Sequence, residues 1–64
     1  MIPTEVREQI KDKFPSAVVS ISSLDDWGEL SVDYNNERMT LTVADTPEGW
    51  ARATKAVLMW LENI

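Results

Sequence analysis

The spacing of apolar residues changes period along the chain, and each change marks an element. Ile2, Val6, Ile10 and Phe14 recur every four residues, which lays one stripe along a helix over residues 4–14. Thr4 reads as the N-cap, with Glu5 at the positive end of the helix dipole. Pro15 ends the helix, because the residue before a proline is pushed out of the helical region. The period then drops to two. Ala17, Val19 and Ile21 alternate with Val18, Ser20 and Ser22, which predicts a strand over residues 17–23. Residues 24–28 read as a loop holding Asp25, Asp26 and Trp27, with Trp27 off the alternation of either strand and Gly28 supplying a turn conformation.

The next two strands carry the clearest signal. Leu30, Val32 and Tyr34 alternate with Glu29, Ser31 and Asp33; Met39, Leu41 and Val43 alternate with Arg38, Thr40 and Thr42. Asn35 and Asn36 lie between, and asparagine tolerates the positive φ of a two-residue hairpin turn. That turn pairs Tyr34 with Glu37, Asp33 with Arg38, Val32 with Met39, Ser31 with Thr40 and Leu30 with Leu41. Apolar residues then fall opposite apolar ones, whereas a slip by one residue would mix the faces.

Thr46, Pro47 and Glu48 form a strong helix start, with Thr46 as cap and Pro47 as first helical residue. A competing capping box uses Asp45 with Glu48. The helix runs to about Glu62. Trp50, Ala53, Thr54, Val57, Leu61 and Ile64 define its apolar stripe, with Leu58 and Trp60 on opposite margins. Gly49 falls in the first turn, where it is tolerated. The arc from Trp60 and Ala56 across to Leu58 is wider than three short strands need, a hint of self-association or of a groove for a partner.

The order is therefore helix, three antiparallel strands, helix. One sheet face is apolar and the other rich in Ser and Thr, so both helices must cover the same face. The expected fold is a two-layer α+β domain spanning residues 1–64.

Charge adds an asymmetry. Asp25, Asp26, Glu29, Asp33 and Glu37 account for the net charge of −5, and no Lys or Arg occurs between Phe14 and Glu37. This run reads as an acidic surface at one end of the molecule. An acidic balance disfavours direct nucleic-acid binding, where Lys and Arg on phosphates supply most of the affinity, and favours a partner protein with a basic surface. No apolar run approaches the length of a membrane span, and the start of the chain lacks a secretory pattern. The absence of Cys fits a reducing cytoplasm and makes disulfides impossible.

Candidate chemistry is sparse. With no His and no Cys, a zinc site would be very unusual, and no base is at hand to activate Ser20, Ser22, Ser23 or Ser31. Asp25 and Asp26 are adjacent, and such neighbours seldom converge as an acid–base pair. Asp25, Asp26 and Glu29 lack the spacing of a calcium loop. Loop aspartates commonly bond local backbone N–H groups instead. No glycine pattern cradles phosphate. The sequence thus predicts no cofactor, no metal and no catalytic activity. Trp27 stands out, since tryptophan is enriched at interface hot spots. The competing reading folds Trp27 over the open end of the core.

The element order and length resemble the double-stranded-RNA-binding domain. That family carries a lysine cluster at the start of its last helix. The stretch here is Thr46-Pro47-Glu48-Gly49-Trp50, so its activity does not carry over. Some small phage-encoded anti-CRISPR inhibitors are similar in size, acidity and element order, which implies an inhibitor as one possible role. The expected function is a non-enzymatic module that holds a basic partner surface, such as a nucleic-acid site, through Asp25, Asp26, Trp27, Glu29 and Asp33. The alternative is an assembly subunit that forms homodimers through Leu58, Trp60 or the Ser/Thr sheet face.

Overall fold

The computed structural model describes residues 2–64. Its elements are α1 (Pro3–Lys13), β1 (Val18–Leu24), β2 (Trp27–Tyr34), β3 (Glu37–Ala44) and α2 (Pro47–Glu62). The strands form one antiparallel sheet in the order β1-β2-β3. Both helices pack on the same face of it, giving the two-layer α+β arrangement that the apolar pattern predicts. Among the described residues, no helix is long and apolar enough to cross a membrane.

The β2–β3 hairpin has the expected register at all five anticipated pairs, from Leu30 opposite Leu41 to Tyr34 opposite Glu37. Asn35 and Asn36 sit at φ of 52° and 65°, the left-handed values that a type I′ turn requires. The connection before it differs from the sequence reading. There is no five-residue loop: β2 begins at Trp27, and Leu24 pairs directly with Trp27. Only Asp25 and Asp26 make the turn, with Asp25 at φ 55°. Aspartate, like asparagine, reaches this region at low cost because its short polar side chain can bond locally. This turn needs one left-handed residue, Asp25, where the Asn35-Asn36 turn uses two.

One apolar cluster fills the space between the layers. Val6 and Ile10 of α1 and Trp50, Ala53, Val57 and Leu61 of α2 meet Ala17, Val19, Leu30, Val32 and Val43 from the sheet side. Fully burying a Val, Leu or Ile side chain contributes about 1.5–3 kcal/mol. The ring of Phe14 meets Tyr34 edge-on, with centroids 5.5 Å apart, and closes the end of the core nearest the Asn35-Asn36 turn.

The helix ends follow local chemistry. Thr46 caps α2, its hydroxyl accepting from the Gly49 N–H at 3.0 Å. Asp45 is not the cap; its carboxylate takes the Trp50 indole N–H at 2.8 Å instead. Thr4 is not the cap of α1 either. Pro3 is the first helical residue, which makes Ile2 the cap, and Glu5 reaches back to the Ile2 N–H at 3.2 Å. Ile2 has no side-chain acceptor, so only this half of a capping box exists. Gly49 is more than tolerated: a β-carbon there would run into the Ala44 carbonyl, so glycine lets α2 start directly against β3.

Candidate binding surface

The strands place alternate residues on a sheet face that neither helix covers. Reading across β1, β2 and β3, this face has four rows. Leu24, Trp27 and Ala44 form the first, beside the Asp25-Asp26 turn. Ser22, Glu29 and Thr42 form the second, and Ser20, Ser31 and Thr40 the third. Val18, Asp33 and Arg38 form the last. Residues directly opposite on one face have β-carbons about 4.5–5.5 Å apart, so each row is a contiguous strip.

Trp27 belongs to this alternation. It shares the parity of Glu29, Ser31 and Asp33, and its side chain is 42% exposed. It does not fold over the core, whose open end is filled by Trp50 at 1% exposure. The neighbouring residue explains the exchange. A β-carbon on Gly28 would lie 2.6 Å from Cζ2 of Trp50, so Gly28 is a strand residue kept bare for the core tryptophan. It is not a turn glycine, and its φ is not positive. Leu24, opposite Trp27, is 59% exposed. The first row is therefore a short apolar strip open to water.

The acids do not form one end. Asp25, Asp26 and Glu29 surround the Trp27 row, whereas Asp33 is six residues further along β2, about 20 Å away at strand rise. Asp33 is also neutralised: Arg38 Nε donates to Oδ1 at 2.7 Å and Nη2 to Oδ2 at 3.2 Å. Those bonds hold the Asp33 carboxyl below the ordinary aspartate range and hold the Arg38 guanidinium above its own. Glu37 pairs with Tyr34 and so falls on the helix side of the hairpin end. Cross-strand pairing sends Asp33 and Glu37 to opposite faces, as the hairpin register read from the sequence already implies. Among the described residues, Asp33–Arg38 is the one ion pair, which leaves Asp25, Asp26 and Glu29 uncompensated.

The turn that carries two of those acids is fixed from the side. The Asp45 N–H donates to the Asp26 carbonyl at 3.1 Å, extending the β2–β3 ladder past Trp27. The Asp45 carboxylate holds the Trp50 indole. Asp45 thus ties the turn, the strand end and α2 together. Sequence reasoning weighed it only as a cap, because no periodic signal links an acid to an indole five residues on.

Other features are less concentrated. Ser31 and Thr40 share a hydroxyl hydrogen bond of 3.2 Å on the open face. Leu58 and Trp60 are half-buried and pack against the core, so much of the wide α2 arc is used internally. Open grooves flank both sheet edges. One, of about 290 Å³, lies between α1 and β1; the other, of about 320 Å³, lies between α2 and β3. Among the described residues, no group of His, Cys, Asp or Glu is arranged to hold a metal ion. No protein-family model, curated protein or solved structure matches the chain.

Proposed function

We propose that this protein is a small binding module whose bare sheet face takes a basic surface of a larger protein, with Trp27 and Leu24 as the apolar anchor and Asp25, Asp26 and Glu29 as the charges around it. Where that surface is a nucleic-acid site, occupation would make the module an inhibitor. The observation that carries the reading is the paired, exposed Leu24–Trp27 strip ringed by three carboxylates that have no cation of their own. A desolvated aromatic surrounded by polar groups is the usual composition of a hot spot. Unpaired carboxylates at its rim speed encounter with a cationic surface and reject anionic ones. Asp33 contributes little, since Arg38 already occupies it.

The test compares proteins retained from native host lysate by the tagged wild type, by Trp27→Ala and by a triple Asp25→Asn, Asp26→Asn, Glu29→Gln variant. The reading predicts a specific retained protein that Trp27→Ala loses. The triple variant should hold it more weakly and with a flatter salt dependence. A retained protein indifferent to both variants would show that this face is not the binding surface.

A further inference from the structure

The Asp25-Asp26 turn lacks the contacts that commonly stiffen an exposed hairpin tip. Loop aspartates often bond local backbone N–H groups. Among the described residues, neither carboxylate of this turn takes such a bond and neither meets a cation. Asp25 holds its left-handed φ of 55° without that support. The two adjacent charges and Glu29 repel one another, which favours a loose tip. One bond reaches the turn from outside the β1–β2 hairpin: the Asp45 N–H donates to the Asp26 carbonyl at 3.1 Å.

Asp45 can hold the turn because it is itself held on both sides. The chain bends at this residue between β3 and α2, and the Thr46 N–H donates across it to the Ala44 carbonyl at 2.8 Å. A bond from one residue to the second one on closes a γ-turn. The φ of Asp45 is not positive, which makes it the inverse form that commonly ends strands. Oδ1 of Asp45 takes the Trp50 indole N–H at 2.8 Å. Trp50 is buried, and its ring fills the space above Gly28, the residue after Trp27. A ring in a close-packed core yields little. The core thus fixes Trp50, Trp50 fixes Asp45, and Asp45 fixes the tip.

We infer that Asp45 is a positioning residue for the partner-binding face: it holds Asp25 and Asp26 beside Trp27 before contact, so that binding need not order them. The inference rests on the reading of that face given above. It extends it by making affinity depend on a group that acts through the turn. Ordering about one backbone residue at the moment of binding weakens affinity about tenfold. The rival role for Asp45 is charge steering from the rim. The two roles make different demands. Positioning needs an acceptor oxygen for the indole, whereas steering needs a negative charge. Asp45→Asn keeps the acceptor and removes the charge.

The test has a partner-free arm and a binding arm. In the free protein, NMR relaxation and amide exchange follow Asp25, Asp26, Trp27 and Asp45. Asp45→Ala should speed exchange at the Asp45 amide at least about tenfold and leave the Asp25 and Asp26 amides as mobile as a free loop. Asp45→Asn should keep both near the wild type. The binding arm uses the protein that wild type retains from host lysate and Trp27→Ala loses. Asp45→Ala should bind it about tenfold more weakly, and Asp45→Asn within about twofold of the wild type. Ile10→Val, a mild core truncation in α1 away from the turn, controls for lost stability and should bind like the wild type. A turn as ordered in Asp45→Ala as in the wild type overturns the inference without any partner. Full affinity of Asp45→Ala, where Trp27→Ala loses the partner, overturns it and leaves the reading of the face standing. Equal weakening by Asp45→Asn and Asp45→Ala assigns steering instead and also overturns it. A partner still held by Trp27→Ala removes the face, and the inference with it.

Discussion

Trp50 lies against Gly28. The indole of the first tryptophan of α2 occupies the place where a β2 side chain would stand: a β-carbon on Gly28 would be 2.6 Å from Cζ2 and 2.9 Å from Cη2. Alternation in a strand then sends the preceding residue, Trp27, to the opposite face. One tryptophan closes the core and the other stands in water, and the glycine between the two layers makes both placements compatible.

Gly28→Ala should therefore lower stability by about 1–3 kcal/mol, the usual cost of forcing extra volume into a packed site. The cause can be isolated by a double-mutant cycle. Phenylalanine lacks the outer indole ring atoms that the new methyl would strike. Gly28→Ala should consequently cost clearly less in a Trp50→Phe background than in the wild type, as measured by urea denaturation. Equal costs in both backgrounds would place the strain elsewhere, for example at the Ser22 carbonyl, 2.9 Å from the same position.

Asp45→Ala should cost about 1–3 kcal/mol, because it strands the N–H of a buried indole. Asp45→Asn keeps an acceptor oxygen and should cost less. The two variants separate loss of the hydrogen bond from loss of the negative charge. Both are read by thermal or chemical denaturation.

Much of this architecture is legible in the sequence, and the exceptions share a cause. The Asn35-Asn36 hairpin is readable because the turn chemistry and the alternation on both sides agree. The start of α2 is readable because Thr46 and Pro47 give the same boundary. The Asp25-Asp26 turn is not, since acids between a serine run and a tryptophan look like loop, and the left-handed tolerance of Asp is weaker as a signal than that of Asn or Gly. Reading Trp27 as loop then hides the apolar strip on the polar face, because a lone aromatic among Ser, Thr and Glu breaks the expected alternation of chemistry though not of geometry. The start of α1 is misplaced for a simpler reason: Thr4 is a good cap by residue type, yet Pro3 at the first helical position outweighs it. Asp33 is legible in both roles, as a member of the acidic run and as the residue set opposite Arg38 by the hairpin register; the structure decides for the second, since Arg38 holds its carboxylate through two hydrogen bonds.

The Asp33–Arg38 pair gives a pH signature. The folded Asp33 carboxyl titrates below its unfolded value, so the pair's stabilisation is present above the unfolded pKa and is lost as pH falls through the folded one. Both side chains are solvent-exposed, and the effect on overall stability should be small. Carboxyl NMR titration should show Asp33 below the ordinary aspartate range. Arg38→Gln should return it toward that range, because the hydrogen bonds of the guanidinium are the largest cause of the shift.

Thr46→Ala should cost about 1 kcal/mol through loss of the hydroxyl that accepts from Gly49, and Thr46→Ser should be nearly neutral. Amide exchange should show the loss first in the opening turn of α2. Since that turn follows directly on Asp45, exchange at the Asp45 amide, which is bonded to Asp26, should rise with it.

The central claim is that the bare sheet face at Trp27 is where this protein meets its partner. Amide and indole NMR of labelled protein, titrated with the protein it retains from host lysate, tests this most directly. The account predicts that perturbation centres on residues 24–29 and Ala44, includes the Trp27 indole N–H and spares that of Trp50. A footprint on the outer faces of α1 and α2, with Trp27 and its row unmoved, would contradict it.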